Sequence, residues 1–356
     1  MDVHGPRPAR PGASPRRPGF ERPPTRRRFE YRPGQPVRPG ALREALEAYA
    51  GELLQRHLTH AKEWFPHELV PWELGRRFQP GETFAPEGPP LPAGVTSALF
   101  VNLLTEDNLP HYFHTIAQVV GMDSALGEWS RRWAAEEQRH AIVLRDWLCV
   151  TRKLDLTGLE RARMRQVSTG FRAGGRGHSL TDGLVYLALQ ELATRIAHWN
   201  TGRLLDDVGS VILKRVAADE NLHFLFYREL AAAALRADPS RTVEAIDRQV
   251  TSFEMPGAEI EGFAAHAASI AAAGIYDFRI HYEQVLVPVV MTHWRLESLE
   301  GLDSGGERAR NHLLAWMARL GRVAARRAAQ SSDAAPLPES EVGGSGQVVG
   351  ACRRMA

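Results

Sequence analysis

The sequence predicts an all-α protein, a four-helix bundle wrapped by additional helices. Between residues 41 and 330, apolar residues recur at three- to four-residue spacing, and alternating runs typical of strands are few. Two copies of the phrase Glu-x-x-His stand on this helical background, at Glu137 and at Glu220. A pattern that repeats along the chain is typical of a bundle whose facing helices contribute side chains to one site.

Length and composition are those of one large domain. The chain has 356 residues, of which 44% are hydrophobic. Residues 1–40 are rich in Pro, Arg and Gly and predict a disordered leader. Residues 331–356 contain turn formers without periodic apolar positions and predict a flexible tail. We therefore expect one helical domain over residues 41–330.

Charge and cysteine usage exclude several functional classes. A formal net charge of +2 is too small to indicate a nucleic-acid partner. The two cysteines, Cys149 and Cys352, are too few for a disulfide framework or an iron–sulfur cluster, so any electrons must come from another protein. No apolar stretch is long enough to predict a transmembrane segment. The leader is Pro-rich, whereas an organelle transit peptide is more often Ser-rich and amphipathic, and this favours a bacterial cytoplasmic protein.

The periodic segments give eight expected helices. Four core helices are expected near residues 96–121, 125–151, 180–206 and 209–236. Four flanking helices are expected near residues 41–60, 243–270, 280–296 and 305–328. Pro110 lies within the first core helix, four residues after Glu106, and predicts a kink there because proline removes a backbone hydrogen bond.

Each Glu-x-x-His has a glutamate upstream at a matched distance. Glu106 lies 31 residues before Glu137, and Glu191 lies 29 residues before Glu220. A single Glu-x-x-His is common on solvated helix faces and would predict little. Both copies here follow apolar residues, and carboxylates that enter an apolar bundle need a partner. The matched duplication therefore favours a metal site.

The spacing explains which metal the site suits. Residues three apart on a helix share a face, so Glu137 and His140 can reach one metal ion. Glu220 and His223 repeat this arrangement. Oxygen-rich ligation with imidazoles and open positions suits iron that binds and reduces dioxygen. Four glutamates and two histidines in this order are the ligand set of a carboxylate-bridged di-iron centre in a four-helix bundle.

At these residues the sequence resembles the soluble acyl-carrier-protein desaturases, a ferritin-like di-iron family. Its members introduce a cis double bond into a fatty acyl chain that is held as a thioester. The resemblance covers most of the expected domain. It is carried by Thr-Glu-Asp-Asn-Leu-Pro from Thr105, Glu-Glu-Gln-Arg-His from Glu136, Gln-Glu-Leu-Ala-Thr from Gln190, Ala-Asp-Glu-Asn-Leu-His from Ala218, Glu-Met-Pro from Glu254 and Thr-His-Trp from Thr292.

The resemblance implies how the ligands divide between two irons. One iron would take Glu106, Glu137 and His140. The other would take Glu191, Glu220 and His223, with Glu137 and Glu220 bridging. Dioxygen would be the co-substrate.

Three further residues acquire roles from the resemblance. Asp219 would hold the ring of His140, and Trp64 would continue that chain toward the surface as an electron route. Thr194 resembles the threonine that faces the oxygen-binding side. The alternatives are a core aromatic for Trp64 and, for Thr194, a hydroxyl that bonds to its own helix.

The resemblance also implies the substrate and the partners. The expected activity is oxygen-dependent desaturation of an acyl chain on acyl carrier protein, in fatty acid and lipid biosynthesis. A ferredoxin-type protein would donate electrons, and the enzyme would be a homodimer. The acidic carrier would need a basic patch, for which Arg172, Arg176 and Arg228 are candidates.

Regioselectivity would require a narrow apolar tunnel, because an unactivated C–H bond offers no charge to bind. Phe113, Leu184 and Leu187 are candidate lining residues, and each fits ordinary core packing equally well.

Other functions share parts of this pattern. A di-iron oxygenase that hydroxylates or N-oxygenates a small molecule would use the same ligands, and an added ligand from His111 or His114 would favour it. A radical-storing subunit of the ribonucleotide reductase type is disfavoured, because Leu144 stands where its tyrosine would be. Ferritin-like iron storage is the non-enzymatic alternative, and a purely structural bundle is the last.

Overall fold

The computed structural model describes residues 40–85, 89–170, 179–205 and 208–333. All regular secondary structure in these ranges is helical, which confirms the all-α class. The expected leader and tail lie outside the described residues, apart from residue 40 and residues 331–333. Cys352, Arg172 and Arg176 also lie outside them.

Twelve α-helices occur in the described ranges. They are α1 Ala41–His60, α2 Pro66–Leu69, α3 Ala93–Asp107, α4 Leu109–Val120, α5 Ala125–Thr151, α6 Leu156–Thr169, α7 Leu180–Arg203, α8 Val208–Ala237, α9 Pro239–Thr251, α10 Phe263–Ala272, α11 Phe278–Ile280 and α12 Ser304–Asp333. A π-helical run, His281–His293, continues α11, and short 3₁₀ turns occupy Trp72–Leu74 and Leu296–Ser298.

Helices α3, α5, α7 and α8 form the central bundle. Helix α7 packs along α8, α3 contacts α5 and α7, and α5 contacts α8. Helices α1 and α9 wrap the bundle, α10 covers α3, and α12 packs on α9. The expected ferritin-like bundle with additional helices is therefore confirmed. Among the described residues, no helix combines the length and apolar character needed to cross a membrane.

Side-chain caps explain where several helices begin. The Ser124 hydroxyl accepts a hydrogen bond from the Gly127 amide (3.0 Å) at the start of α5, and the Ser179 hydroxyl accepts one from the Asp182 amide (3.1 Å) at the start of α7. Helix α5 has the predicted bounds, because its cap and its apolar periodicity agree.

Two of the expected helices are broken. The segment expected as one helix near 96–121 divides into α3 and α4 at Asn108, because Pro110 cannot accommodate the carbonyl of residue 106 within a continuous helix. The segment expected near 243–270 divides into α9 and α10. Gly257 (φ 95°) and Gly262 (φ 77°) adopt left-handed backbone between these helices.

The apolar core comprises two clusters, and the candidate ligands lie between them. Along α5, Trp133 belongs to one cluster and Ala141 to the other. Along α8, Val216 and Phe224 are divided in the same way. The two Glu-x-x-His motifs occupy these crossover segments, so their side chains lie at the same level of a water-excluding bundle.

His281, at the start of the π-helical run, is a buried titratable group away from the candidate ligands. Its ring is 2% exposed, stacks on Phe253 with ring centroids 4.6 Å apart, and shares a 2.7 Å hydrogen bond with the Tyr276 hydroxyl. Burial lowers the pKa of His281 to about 3. The folded protein therefore keeps this ring neutral under mildly acidic conditions.

We expect His281 to weaken the fold in acid. Below a pH of about 6.5 the unfolded chain binds a proton that the folded chain excludes, so the free energy of unfolding falls by about 1.4 kcal/mol per pH unit until the folded pKa is reached. Between pH 7.5 and 5.0 this amounts to about 2 kcal/mol. Urea unfolding at both values should show a smaller loss for His281→Gln than for the unmodified protein. The control His67→Gln, which alters an exposed histidine of α2, should lose as much unfolding free energy as the unmodified protein does.

Candidate metal centre

Each central helix carries one of the four candidate glutamates. Glu106 lies in the last turn of α3, Glu137 in α5, Glu191 in α7 and Glu220 in α8. His140 and His223 follow on α5 and α8, one turn beyond Glu137 and Glu220. All six side chains are buried. The structure therefore brings together every metal ligand that the sequence predicts.

The six side chains form two overlapping groups. One group contains Glu106, Glu137, His140 and Glu220, and the other contains Glu137, Glu191, Glu220 and His223. Within each group the candidate ligand atoms lie within 4.8 Å of one another. Because Glu137 and Glu220 belong to both groups, they occupy the positions that bridging carboxylates would need.

Both histidines direct Nδ1 toward the carboxylates. His140 Nδ1 lies 3.5 Å from Glu137 Oε2 and 3.5 Å from Glu220 Oε1. His223 Nδ1 lies 2.8 Å from Glu137 Oε1, 3.7 Å from Glu191 Oε2 and 3.6 Å from Glu220 Oε2. The opposite ring nitrogens point away from the cluster. Nδ1 is therefore the coordinating atom that this arrangement offers.

The donor atoms fit a metal rather than each other. Several of these buried atoms make no well-directed hydrogen bond among the described residues and meet one another only as carboxylate–imidazole contacts: Glu137 Oε1, His140 Nδ1, Glu191 Oε2, both Glu220 carboxylate oxygens and His223 Nδ1. Leaving one such atom unsatisfied costs about 1–3 kcal/mol, so a cluster of them indicates that a ligand completes the site. Oxygen and imidazole donors with four carboxylates suit iron.

Electrostatics support the same interpretation. Burial, followed by repulsion from Glu137 and Glu220, raises the pKa of Glu106 and of Glu191 well above the ordinary value. Although burial opposes it, hydrogen bonding to His140 and His223 holds the pKa of Glu220 well below its usual range. Four carboxylates in a low-dielectric interior require neutralisation, which protons or bound cations can supply.

Asp219 connects His140 to Trp64, as the resemblance implies. Asp219 Oδ2 lies 3.5 Å from His140 Nε2 and accepts a 2.8 Å hydrogen bond from Trp64 Nε1. Arg139 donates to the same oxygen (2.8 Å), and its guanidinium lies 4.4 Å from the centre of the Trp64 ring. Although burial opposes it, bonding to His140 and Trp64 lowers the pKa of Asp219 to about 2.

His223 has a corresponding support that the sequence analysis missed. Its Nε2 lies 2.9 Å from Glu136 Oε2, and His57 Nε2 from α1 lies 3.0 Å from the same oxygen. Glu136 also forms an ion pair with Arg132. The doubled glutamate in Glu-Glu-Gln-Arg-His is the one sequence signal for Glu136. Nothing in the sequence points to His57, because α1 contributes no motif.

Two further contacts orient the terminal carboxylates. Trp133 Nε1 donates a 2.9 Å hydrogen bond to Glu191 Oε1. His198 Nε2 lies 3.3 Å from Glu106 Oε1, and its Nδ1 lies 3.3 Å from Asn102 Nδ2. Both partners are buried and fix the rotamer of the carboxylate they contact. No motif or spacing in the sequence marks Trp133 or His198 for this role.

Thr194 lies beside the ligand cluster on α7. Its hydroxyl accepts a 3.0 Å hydrogen bond from Gln190 Nε2, one turn earlier. Thr194 lines both cavities that adjoin Glu106. The side chain therefore faces the open space next to the cluster.

The histidines that would favour an oxygenase do not reach the cluster. His111 Nε2 donates to the Val167 carbonyl (2.8 Å) and ties α4 to the end of α6. His114 points outward and pairs with Gln118. Neither belongs to a ligand group, because the ring of His111 is held at the Val167 carbonyl and His114 is exposed. Leu144 packs in the apolar core.

Two mainly apolar cavities meet at the cluster. The first, of about 230 Å³, includes Leu126, Leu184 and Leu187 in its wall. The second, of about 440 Å³, includes Ile270 and Trp316. The residues common to both walls are Thr105, Glu106, Thr194, Met255 and Pro256. Of the predicted lining residues, Leu184 and Leu187 line the first cavity, whereas Phe113 lines neither.

Comparisons with known proteins agree with this geometry. A family model described as fatty acid desaturase matches residues 41–341. A Mycobacterium tuberculosis protein that carries the name acyl-[acyl-carrier-protein] desaturase DesA1 is 40% identical over 281 residues, which are 76% of this chain and 83% of that protein.

A plant protein and a solved structure extend the comparison. Stearoyl-[acyl-carrier-protein] 9-desaturase 1 of Oryza sativa, a chloroplastic protein, is 29% identical over 326 residues, covering 85% of this chain and 84% of that one. The X-ray structure of the acyl-ACP desaturase DesA2 from Mycobacterium tuberculosis superposes with a TM-score of 0.61 at 27% identity. It covers 73% of this chain and 97% of the DesA2 chain.

Proposed function

The chain belongs to the fatty acid desaturase family and is an oxidoreductase that desaturates acyl chains linked to acyl carrier protein, and we propose that a di-iron centre carries out this reaction. The single observation that best supports the proposal is the meeting of two apolar cavities at one buried set of four glutamates and two histidines. An acyl chain threaded through these cavities would pass the ligand cluster.

We assign the iron ligands as the family resemblance implies. Glu106, Glu137 and His140 would hold one iron. Glu191, Glu220 and His223 would hold the other, with Glu137 and Glu220 shared. The bound irons would supply dioxygen activation. Overall, one dioxygen, two external electrons and two protons would be consumed as two hydrogens leave adjacent methylenes, giving a cis double bond and two waters.

The protein's own contribution is orientation and the exclusion of water. The carboxylates and imidazoles of the cluster are oriented by contacts to four neighbouring side chains: Trp133, His198, Glu136 and Asp219. The apolar walls hold an acyl chain by shape, since methylenes offer no hydrogen bond. The depth of the chain therefore decides which carbons lie beside Thr194 and Glu106.

Electrons would enter through Trp64. Its ring is 7% exposed, is stacked parallel to the His140 ring with centroids 6.5 Å apart, and is joined to it through Asp219. A ferredoxin-type protein is the proposed donor, because the chain has only two cysteines and cannot assemble its own iron–sulfur cluster. We further propose a homodimer that acts in the cytoplasm.

We expect Asp219→Asn to weaken the iron site at His140. The substitution removes the negative charge that orients the His140 ring and leaves Arg139 and Arg215 without their shared counter-ion. Loss of such a contact typically lowers metal affinity by about 10- to 100-fold. Iron retained against a graded chelator measures this change. Asp247→Asn, which alters a carboxylate on α9, should retain iron normally.

The proposed activity is tested by the mass of the substrate. Iron-loaded protein is incubated with stearoyl- or palmitoyl-carrier protein, ferredoxin, its reductase, NADPH and oxygen. Loss of two hydrogens from the intact acyl carrier is expected. Gain of one oxygen would instead establish a hydroxylase.

The alternative functions are not favoured. The relatives are named as desaturases, and neither His111 nor His114 supplies the added ligand that an oxygenase reading required. Iron storage and a purely structural bundle are also disfavoured, because neither function explains two apolar cavities at the ligand cluster.

A further inference from the structure

The two cavities differ in charge at their outer ends. Away from the shared wall, the first cavity includes the acidic residues Asp182, Glu254 and Glu259 and no lysine or arginine, and Asp182 pairs with Arg248. The second cavity includes one acidic residue, Asp277, and one basic residue, Arg327. An acidic partner would therefore be repelled more strongly at the first end than at the second. This difference bears on which end admits the substrate.

One face of α12 forms part of the second cavity. Trp316, Leu320, Val323 and Arg327 line it, at intervals of four, three and four residues that place them on one side of the helix. Val323 is 41% exposed, although it lines the cavity. The wall therefore reaches solvent along the C-terminal half of α12.

An arginine stripe lies beside that face. We define the stripe as Arg319, Arg322 and Arg326, which recur at intervals of three and four residues and are all exposed. At about 100° per residue the stripe is centred roughly a quarter turn from the cavity face. Within the described part of the chain, none of the three forms an ion pair.

Acidic groups near α12 are concentrated toward its N-terminal half. Glu307 pairs with Arg310, Asp247 of α9 pairs with His312, and Glu244 of α9 lies against Gly305. No acidic residue occurs between residues 319 and 327. The arginine stripe is therefore a cationic surface beside the second cavity, whose own wall contains one acidic residue away from the ligand cluster, Asp277.

We propose that the acidic carrier protein docks on the arginine stripe and that its acyl chain enters through the second cavity. The inference rests on the proposed function. Guanidinium groups bind carboxylates and phosphates in a planar fork, which suits an acidic carrier and the phosphodiester of its prosthetic arm. The thioester would remain near Arg327, and the methyl end would pass the ligand cluster into the first cavity.

This assignment differs from the docking candidates expected from the sequence. Arg228 pairs with Glu229, and its guanidinium lies 5.2 Å from the centre of the Phe224 ring, so it already has partners. Arg172 and Arg176 lie outside the described residues. No sequence motif marks the arginine stripe on α12, because its significance depends on its position beside the second cavity.

Charge reversal tests the docking surface. A triple variant of the arginine stripe is compared with Arg161→Glu, which alters another exposed arginine on a different helix, α6. Binding of fluorescently labelled stearoyl-carrier protein is measured by anisotropy at several salt concentrations. We expect the triple variant Arg319→Glu, Arg322→Glu, Arg326→Glu to slow association by about 10- to 100-fold and to flatten its salt dependence. The control should bind as the unmodified protein does.

A plug in the cavity separates docking from threading. Val323→Trp places a large ring at the solvent-facing wall and should reduce desaturation at least about tenfold while carrier protein without an acyl chain still binds normally. Circular dichroism and melting temperature verify that each variant folds.

Three outcomes would overturn the docking inference. Unchanged carrier affinity in the triple variant would do so, as would a loss of affinity caused by Arg161→Glu alone. A change from dimer to monomer without a change in carrier affinity would show that the stripe contacts a second copy of the chain. If the unmodified protein neither binds nor desaturates acyl-carrier protein, the proposed function itself fails, and the docking inference that rests on it fails as well.

Discussion

Glu220→Gln is expected to remove iron from both halves of the centre. Glu220 is the carboxylate of α8 that belongs to both ligand groups, and its two oxygens face the two histidines at 3.5 Å and 3.6 Å. Loss of a residue that supports a metal ligand typically lowers metal affinity or activity by about 10- to 100-fold. Loss of the ligand's own charge should therefore reduce desaturation by more than about 100-fold. Iron per chain should fall from about two to less than one.

The control for this variant is Glu128→Gln. Glu128 lies in the first turn of α5 and is exposed. That substitution should leave iron content and activity unchanged. Metal analysis and the acyl-carrier mass assay together measure the outcome. A Glu220→Gln protein that folds, retains two irons and turns over normally would refute the shared-ligand assignment.

Gly183→Leu is expected to change the preferred acyl chain length. Gly183 lines the first cavity, and a Cβ placed there meets no atom within 4 Å. A leucine side chain can therefore enter the cavity without displacing its walls. Filling space equivalent to a few methylenes should disfavour the longer substrate by roughly 10- to 200-fold. The ratio of kcat/KM for stearoyl- and myristoyl-carrier protein measures this effect.

Gly51→Leu is the matched control. Gly51 is also helical, and an added Cβ there meets only Ala125, at 3.9 Å, away from both cavities. Chain-length preference should not change in this variant. An unaltered ratio in Gly183→Leu, with normal folding and total activity, would mean that the acyl chain does not occupy the first cavity.

The sequence could predict the ligand cluster because helix periodicity alone places Glu and His on one face. The three-residue spacing of Glu137 and His140 needs no tertiary information. The upstream glutamates, Glu106 and Glu191, could be predicted from their matched distances to the two motifs, 31 and 29 residues. Asp219 and Trp64 were expected from the family resemblance and not from helix spacing. The structure places these two side chains in contact.

The contacts behind the ligands could not be predicted in the same way. His57 meets Glu136 only because α1 packs on α5, and His198 meets Glu106 only because α3 packs on α7. Neither residue has a spacing that marks it. The arginine stripe of α12 also depends on tertiary packing, because its meaning comes from the adjacent cavity.

Helix boundaries failed where local backbone chemistry overrode periodicity. Apolar residues continue through Pro110, yet the missing amide and the steric clash end α3 at Asp107. The break matters functionally, because it leaves Glu106 in the terminal turn beside both cavities. The same limit applies near Gly257, where left-handed backbone interrupts an apolar pattern.

The measurement that most directly tests the central claim is anomalous diffraction at the iron edge from crystals of iron-loaded protein. The account predicts two iron peaks per chain within the cluster of four glutamates and two histidines, with Glu137 and Glu220 contacting both. A single peak, or iron bound anywhere outside these six residues, would contradict the assignment of a di-iron centre.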